Sequence, residues 1–198
     1  MVGTCRRLMG GGRGVFGLAA ILDIWEELVM GYRLGVYTVG FISEQSPLLA
    51  NHHQFIRETL LAKVQEESGL LRVAMPAGYR PTTPDIPVES GFLTYTMTVW
   101  RDLESVFHFT YKTHLHRRAM RELPDAYEKM PNGRAVYDVL WWFDDDAYPD
   151  DERAIVDEGA RRMDYLIQEG PSPYAFDMKH PYDVHGLQAD FRKLRDYA

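Results

Sequence analysis

Between Phe107 and Met130 the chain reads FHFTYKTHLHRRAMRELPDAYEKM, with three histidines and five basic residues (Lys112, Arg117, Arg118, Arg121, Lys129). The rest of the protein is acidic, with a formal net charge of -7. Three kinds of chemistry suit such a segment: a metal site, a site for an anionic or phenolic ligand, or a solvated helix face. Metal is the poorest match. On a helix, His114 and His116 point about 200° apart, so their rings diverge, and the adjacent pair His52 and His53 diverges too. The acidic run Asp144–Asp146 precedes a helix, where carboxylates act as caps and complement the helix dipole. No metal site is expected.

A helical wheel that starts at Val106 gathers Phe109, Thr113, His116 and Met120 into a sector roughly 60° wide. That sector is apolar and should face the sheet. Tyr111, His114, Arg118 and Arg121 gather on the opposite, solvated side. His116 is therefore the candidate general base, joined by His52 at the start of an earlier helix. A neutral imidazole can take a proton from a carbon acid or a phenol, and a tyrosine, here Tyr111, can hold the resulting oxyanion. Cys5 is the sole cysteine and lies far from this segment, so neither a thiol nucleophile nor a disulfide framework is available. No pair of carboxylates sits in an apolar setting.

The elements that must position these groups are legible from period and punctuation. Tyr32–Ile42 is rich in β-branched and aromatic residues, which predicts a strand. A helix is expected from about His52 to Glu67, with Asn51 as its cap and Gly69 after it. LLRVAMP predicts a short strand, and a loop follows with prolines at 81, 84 and 87. GFLTYTMTVW alternates, placing Thr94, Thr96, Thr98 and Trp100 on one face. Thr96, Thr98 and Trp100 are candidate binding residues, because hydroxyls among aromatics suit a mostly apolar pocket. The basic helix follows from near Asp102, then a strand AVYDVLWWF, whose Trp141 and Trp142 are candidate stacking residues for an aromatic ligand. A third helix ends at Gly170.

The order β-α-β-β-α-β, with one more helix appended, predicts an α+β, ferredoxin-like antiparallel sheet with both crossover helices on one face. The other face would be bare, apolar and open to the same face of a second subunit. Domain boundaries are expected at 1–31 for a glycine-rich leader or appended helix, 32–178 for the sheet domain and 179–198 for a tail. The apolar run near the start is interrupted by Asp23 and is too short to span a membrane. Hydrophobic content of 45% with 26% charged residues is globular, and the negative balance argues against coating nucleic acid. The expected setting is the cytoplasm, with a small organic molecule as partner.

VWRDLESVFHFTYKTH, YDVLWWF and YPDDERAIVDEGARRMDYLIQEGPSPYAF together resemble the domain of unknown function 3291 family. The likeness is most specific in Trp141-Trp142 and in GPSPYAF, from Gly170 to Phe176. That family is placed among the dimeric α+β barrels, the antibiotic-biosynthesis monooxygenase-like superfamily. The resemblance implies a homodimer and cofactor-free chemistry of the monooxygenase, isomerase or cyclase type on an aromatic or polyketide-like substrate. The alternatives are a haem-binding enzyme or a non-catalytic metabolite-binding dimer. His114 and His116 both stand near the position of the family's helix histidine. Asp144–Ala147 replaces the family's Pro-Ala-Gly-His turn.

Overall fold

The computed structural model describes residues 31–46, 69–81, 91–114, 116, 121, 127–129, 134–147 and 151–197. The chain divides into two units, Met1–Gly31 and Tyr32–Ala198, and all that follows concerns the second. Its elements are β1 (Tyr32–Ile42), β2 (Leu70–Val73), β3 (Phe92–Trp100), α1 (Leu103–Lys112), β4 (Val136–Asp144), α2 (Glu152–Glu169) and α3 (Phe191–Tyr197). The strands form one four-stranded sheet in the order β2-β3-β1-β4, and every neighbouring pair is antiparallel. The fold is α+β. The helix expected between about His52 and Glu67 lies outside the described residues, as does His52 itself.

Because side chains alternate along each strand, the sheet sorts its residues into two cores. Tyr37, Val39, Tyr95, Met97, Val139 and Trp141 turn to one face and meet Ile155, Val156, Ala160 and Met163 of α2. Leu34, Trp100 and Leu140 turn to the other and meet Leu103, Val106 and Phe107 of α1. The face expected to be bare is therefore covered by the chain's own helix α2. The cause lies in α2: Ile155, Gly159 and Met163 recur every fourth residue, and Val156 and Ala160 widen that stripe to a full apolar face. Ile155, Val156 and Met163 are each 0% exposed. Each contributes about 1.5–3 kcal/mol by leaving water.

The helix termini follow their capping residues. Asp102 caps α1 by accepting the Ser105 N–H at 2.7 Å, and Asp151 caps α2 by accepting from Arg153 and Ala154, both at 3.0 Å. Gly170, with φ 81°, ends α2 in a conformation that other residues rarely adopt. Of the acidic run after β4, Asp145 pairs with Arg33 at 2.7 Å and Asp144 accepts the Asp146 N–H at 3.0 Å.

Beyond α2 the chain returns to the sheet. Phe176 exchanges both backbone hydrogen bonds with Leu140, at 2.7 and 3.0 Å, and so covers the outer edge of β4. The described part of the segment 179–198, expected as a tail, also packs: Trp142 Nε1 donates to the Tyr182 carbonyl at 2.8 Å. Phe191 of α3 places its ring 5.9 Å from Phe107 and 6.1 Å from Tyr111. Among the described residues no helix is long and apolar enough to cross a membrane.

Candidate functional site

The site is built on the α1 face, and its geometry begins at Thr113. Helical periodicity alone would run α1 through His116 and beyond, but α1 stops at Lys112 and Thr113 takes an extended conformation (φ -70°, ψ 138°). After it, His114, His116 and Arg121 are again in helical conformation. The wheel that grouped His116 with Phe109 through one continuous helix is thus broken between them. What replaces it is a hydrogen-bonded joint. The Thr113 hydroxyl donates to the Phe109 carbonyl at 2.7 Å and accepts the His116 N–H at 3.4 Å. One threonine thereby ties the end of α1 to the turn that carries His116.

The imidazole of His116 is half-buried, whereas His114 is exposed. Its Nδ1 lies 2.8 Å from the Thr110 carbonyl oxygen. A carbonyl only accepts, so Nδ1 carries the proton, and in the neutral ring Nε2 keeps its lone pair. Burial favours the neutral ring and lowers its pKa, partly opposed by the bond to Thr110. The ring leans on Phe109 (5.1 Å between centroids), which in turn leans on Trp100 of β3 (5.4 Å). His116 is thus held on the β3 side of the α1 face as a neutral imidazole of fixed tautomer.

Tyr111 is held on the β4 side. It is half-buried, packed between Phe107 and Phe191, and so does not stand on a solvated face with His114. Burial raises its pKa, and the charge of Asp138 raises it further. It remains a neutral phenol near neutral pH.

The other expected residues separate into three roles. Thr98 and Trp100 satisfy each other: Trp100 Nε1 donates to Thr98 Oγ1 at 2.9 Å, and Thr98 Oγ1 donates to the Val36 carbonyl at 3.4 Å. Trp141 and Trp142 point to opposite faces. Trp141 is 0% exposed against Gly35, deep under α2, which leaves a ligand no access to it. Trp142 lies on the α1 face, with its indole N–H bonded to Tyr182. Thr96 remains: half-buried on the α1 face, with no hydrogen-bond partner among the described residues.

Sequence reasoning missed three residues that share this face with Thr96. Thr38 pairs with Thr96 on one side and with Asp138 on the other, so the three form a row across β3, β1 and β4. Asp138 accepts the Met178 N–H at 3.0 Å, and its side chain is 24% exposed. Burial pushes its carboxyl pKa upward, with Asp177 adding to the shift and the Met178 N–H and Arg134 opposing it. Tyr127 lies with its ring over Gly40, where a Cβ would come 2.8 Å from the ring. Burial pushes its phenol up to about 12. The signal for Asp138 was present: an acidic residue in the middle of an apolar strand. Among the described residues no three histidine, cysteine or acidic side chains stand together as a metal-holding group.

A family model described as Domain of unknown function (DUF3291) matches residues 43–192. The chain belongs to the DUF3291 family. No protein of curated function and no solved structure matches it. The DUF3291 match spans β2 to the start of α3 and so includes His116, Tyr111, Asp138 and the returning segment after α2. β1, which supplies Thr38 at the centre of the row, precedes the match.

Proposed function

We propose that this DUF3291 protein is a small-molecule enzyme that uses His116 for acid–base chemistry on an aromatic or polyketide-like substrate bound on the α1 face. The reaction would be of the cofactor-free monooxygenase, isomerase or cyclase type. The observation that carries the reading is the His116 ring: Nδ1–H is committed to Thr110, and Nε2 has no hydrogen-bond partner among the described residues. A lowered pKa keeps that nitrogen unprotonated at neutral pH, as a base acting on a carbon acid or phenol requires. Tyr111 and Tyr127 stay protonated and can donate to an oxyanion.

The strand order β2-β3-β1-β4 supports a ferredoxin-like sheet and, with it, membership of the dimeric α+β barrels. A cytoplasmic homodimer is part of the proposal. Because α2 covers the second face, any subunit contact on that side meets α2 rather than open sheet. Light scattering measures the mass directly.

The chemistry is tested by hydrogen–deuterium exchange at the ring carbons of phenolic probes, followed by NMR. The protein should accelerate exchange, and His116→Gln should lose roughly a hundredfold or more of that acceleration while remaining folded. Equal exchange with and without His116 would remove the central residue from the proposal.

A second reading draws on the same nitrogen. Metal-bound histidines usually donate their other ring N–H to a carbonyl or carboxylate, as His116 does to Thr110, so His116 suits an axial ligand of haem. A Soret band on adding haem, absent in His116→Gln, selects that reading.

A further inference from the structure

We propose that the cross-strand row Thr96–Thr38–Asp138 is the orienting wall of the site, and that it takes a flat aromatic ligand with oxygens on alternate ring carbons. This rests on the proposed function in assuming that the α1 face receives a small molecule.

The rows on either side set this one apart. Toward the Trp100 end lies Thr98–Val36–Leu140, in which the single hydroxyl is already bonded to Val36 and Trp100. Toward the other end lies Thr94–Gly40–Val136, with the Tyr127 ring against Gly40. Between them, Thr96 and Thr38 present two half-buried hydroxyls with no hydrogen-bond partner among the described residues. Asp138 completes the line. Its Oδ2 is committed to the Met178 N–H, whereas Oδ1 faces Arg134 at 3.9 Å, beyond hydrogen-bond reach. Oδ1 therefore keeps capacity for a ligand.

The charged and titratable groups around Asp138 come from several elements: Arg134 before β4, Asp177 and Lys179 after α2, and Tyr111 of α1. Its raised pKa agrees with a carboxyl that can share a proton with a phenol.

Spacing identifies the ligand class. Residues directly opposite on neighbouring strands repeat about every 4.8 Å, and meta oxygens on a benzene ring also lie about 4.8 Å apart. Ortho oxygens are much closer together and cannot reach two strands at once. A ring with two or three meta oxygens can thus bond to Thr96, Thr38 and Asp138 in turn. Tyr127 stands beside the row at Gly40 and supplies a flanking aromatic surface.

The test compares phloroglucinol, resorcinol and catechol by NMR titration against the full chain. Phloroglucinol and resorcinol should bind at least tenfold more tightly than catechol. The double variant Thr38→Val, Thr96→Val keeps side-chain shape and strand propensity, and it should abolish that preference. His116→Gln separates this proposal from the one beneath it. If His116→Gln leaves binding, meta preference and the ring-proton exchange rate all unchanged while the threonine variant erases the preference, the wall stands and the acid–base reading fails. If binding needs His116 but ignores the threonines, the wall is wrong and the site reading survives. Absence of binding by phloroglucinol at millimolar concentration, or equal binding of catechol, overturns the proposal.

Discussion

Gly159 of α2 lies against the ring of Tyr37 so closely that a Cβ there would stand 2.7 Å from Cγ and 2.8 Å from Cβ of the tyrosine. Tyr37 is 0% exposed, so the ring has nowhere to retreat. This contact seats α2 on the sheet and closes the face that the strand pattern alone leaves open. Gly159→Ala pits two effects against each other. Alanine favours the helix by about 1 kcal/mol over glycine, whereas overpacking a closed core costs about 1–3 kcal/mol. The clash should win, and urea unfolding should show Gly159→Ala to be less stable than the parent. A more stable variant would mean that α2 does not pack this tightly on Tyr37.

Burial of His116 also predicts a pH dependence. Its pKa in the folded protein lies below the ordinary value of 6.5, so the unfolded chain takes up the proton first as pH falls. Stability from this group is complete above about pH 6.5 and declines as pH falls from there toward the lowered folded pKa. In His116→Gln that component should vanish. The difference between parent and variant melting temperatures should shrink as pH falls from 7.5 toward 5. A difference that stays constant would show that the imidazole is not desolvated.

Much of this fold was legible, for reasons that individual elements make clear. β1 and β3 are rich in β-branched and aromatic residues, and the ends Tyr32–Ile42 and Phe92–Trp100 fall where composition and turn chemistry change. Gly170 marks the end of α2 because its positive φ of 81° calls for glycine. Thr113 was illegible because apolar spacing continues across it, and its break depends on a hydroxyl bonded to both sides. The row at Thr38 was illegible for a different reason. Register between strands far apart in sequence is set by the whole sheet, and no single strand reveals which residue faces Asp138. The docking of residues 179–198 was hidden because Trp142 and Phe191 find partners only once β4 and α1 are side by side.

Phe191 tests whether that last segment supports the site. Its ring packs against Phe107 and against Tyr111, the phenol of the candidate site. Phe191→Ala should lower stability by about 2 kcal/mol, less than a fully buried phenylalanine because the residue is only half-buried. It should also broaden the Tyr111 ring resonances, since that ring loses one of its two aromatic neighbours. Unchanged stability and unchanged Tyr111 resonances would return residues 179–198 to the status of a tail.

Asp138 offers the sharpest contrast between stability and function. Its folded pKa is raised above the ordinary 3.8, chiefly by burial, so the folded state binds its proton more tightly than the unfolded chain does. The sign is therefore opposite to that of a salt-bridged carboxylate: its favourable contribution is complete below about pH 4 and is lost as pH rises through the folded value. At neutral pH the ionised Asp138 is a desolvated charge, and Arg134 at 3.9 Å, itself 30% exposed, offsets little of that cost. Asp138→Asn keeps an acceptor for the Met178 N–H while removing the charge. The variant should melt at a higher temperature than the parent at pH 7, and the advantage should disappear as the pH approaches 4. If the row orients a ligand, the same substitution should weaken phloroglucinol binding roughly tenfold, because the amide cannot share a proton with a phenol as the carboxyl does. A variant both more stable and weaker in binding would mark Asp138 as retained for function at the expense of stability. Lower stability at pH 7 would instead mean that the Arg134 pair outweighs desolvation and that the carboxylate is structural.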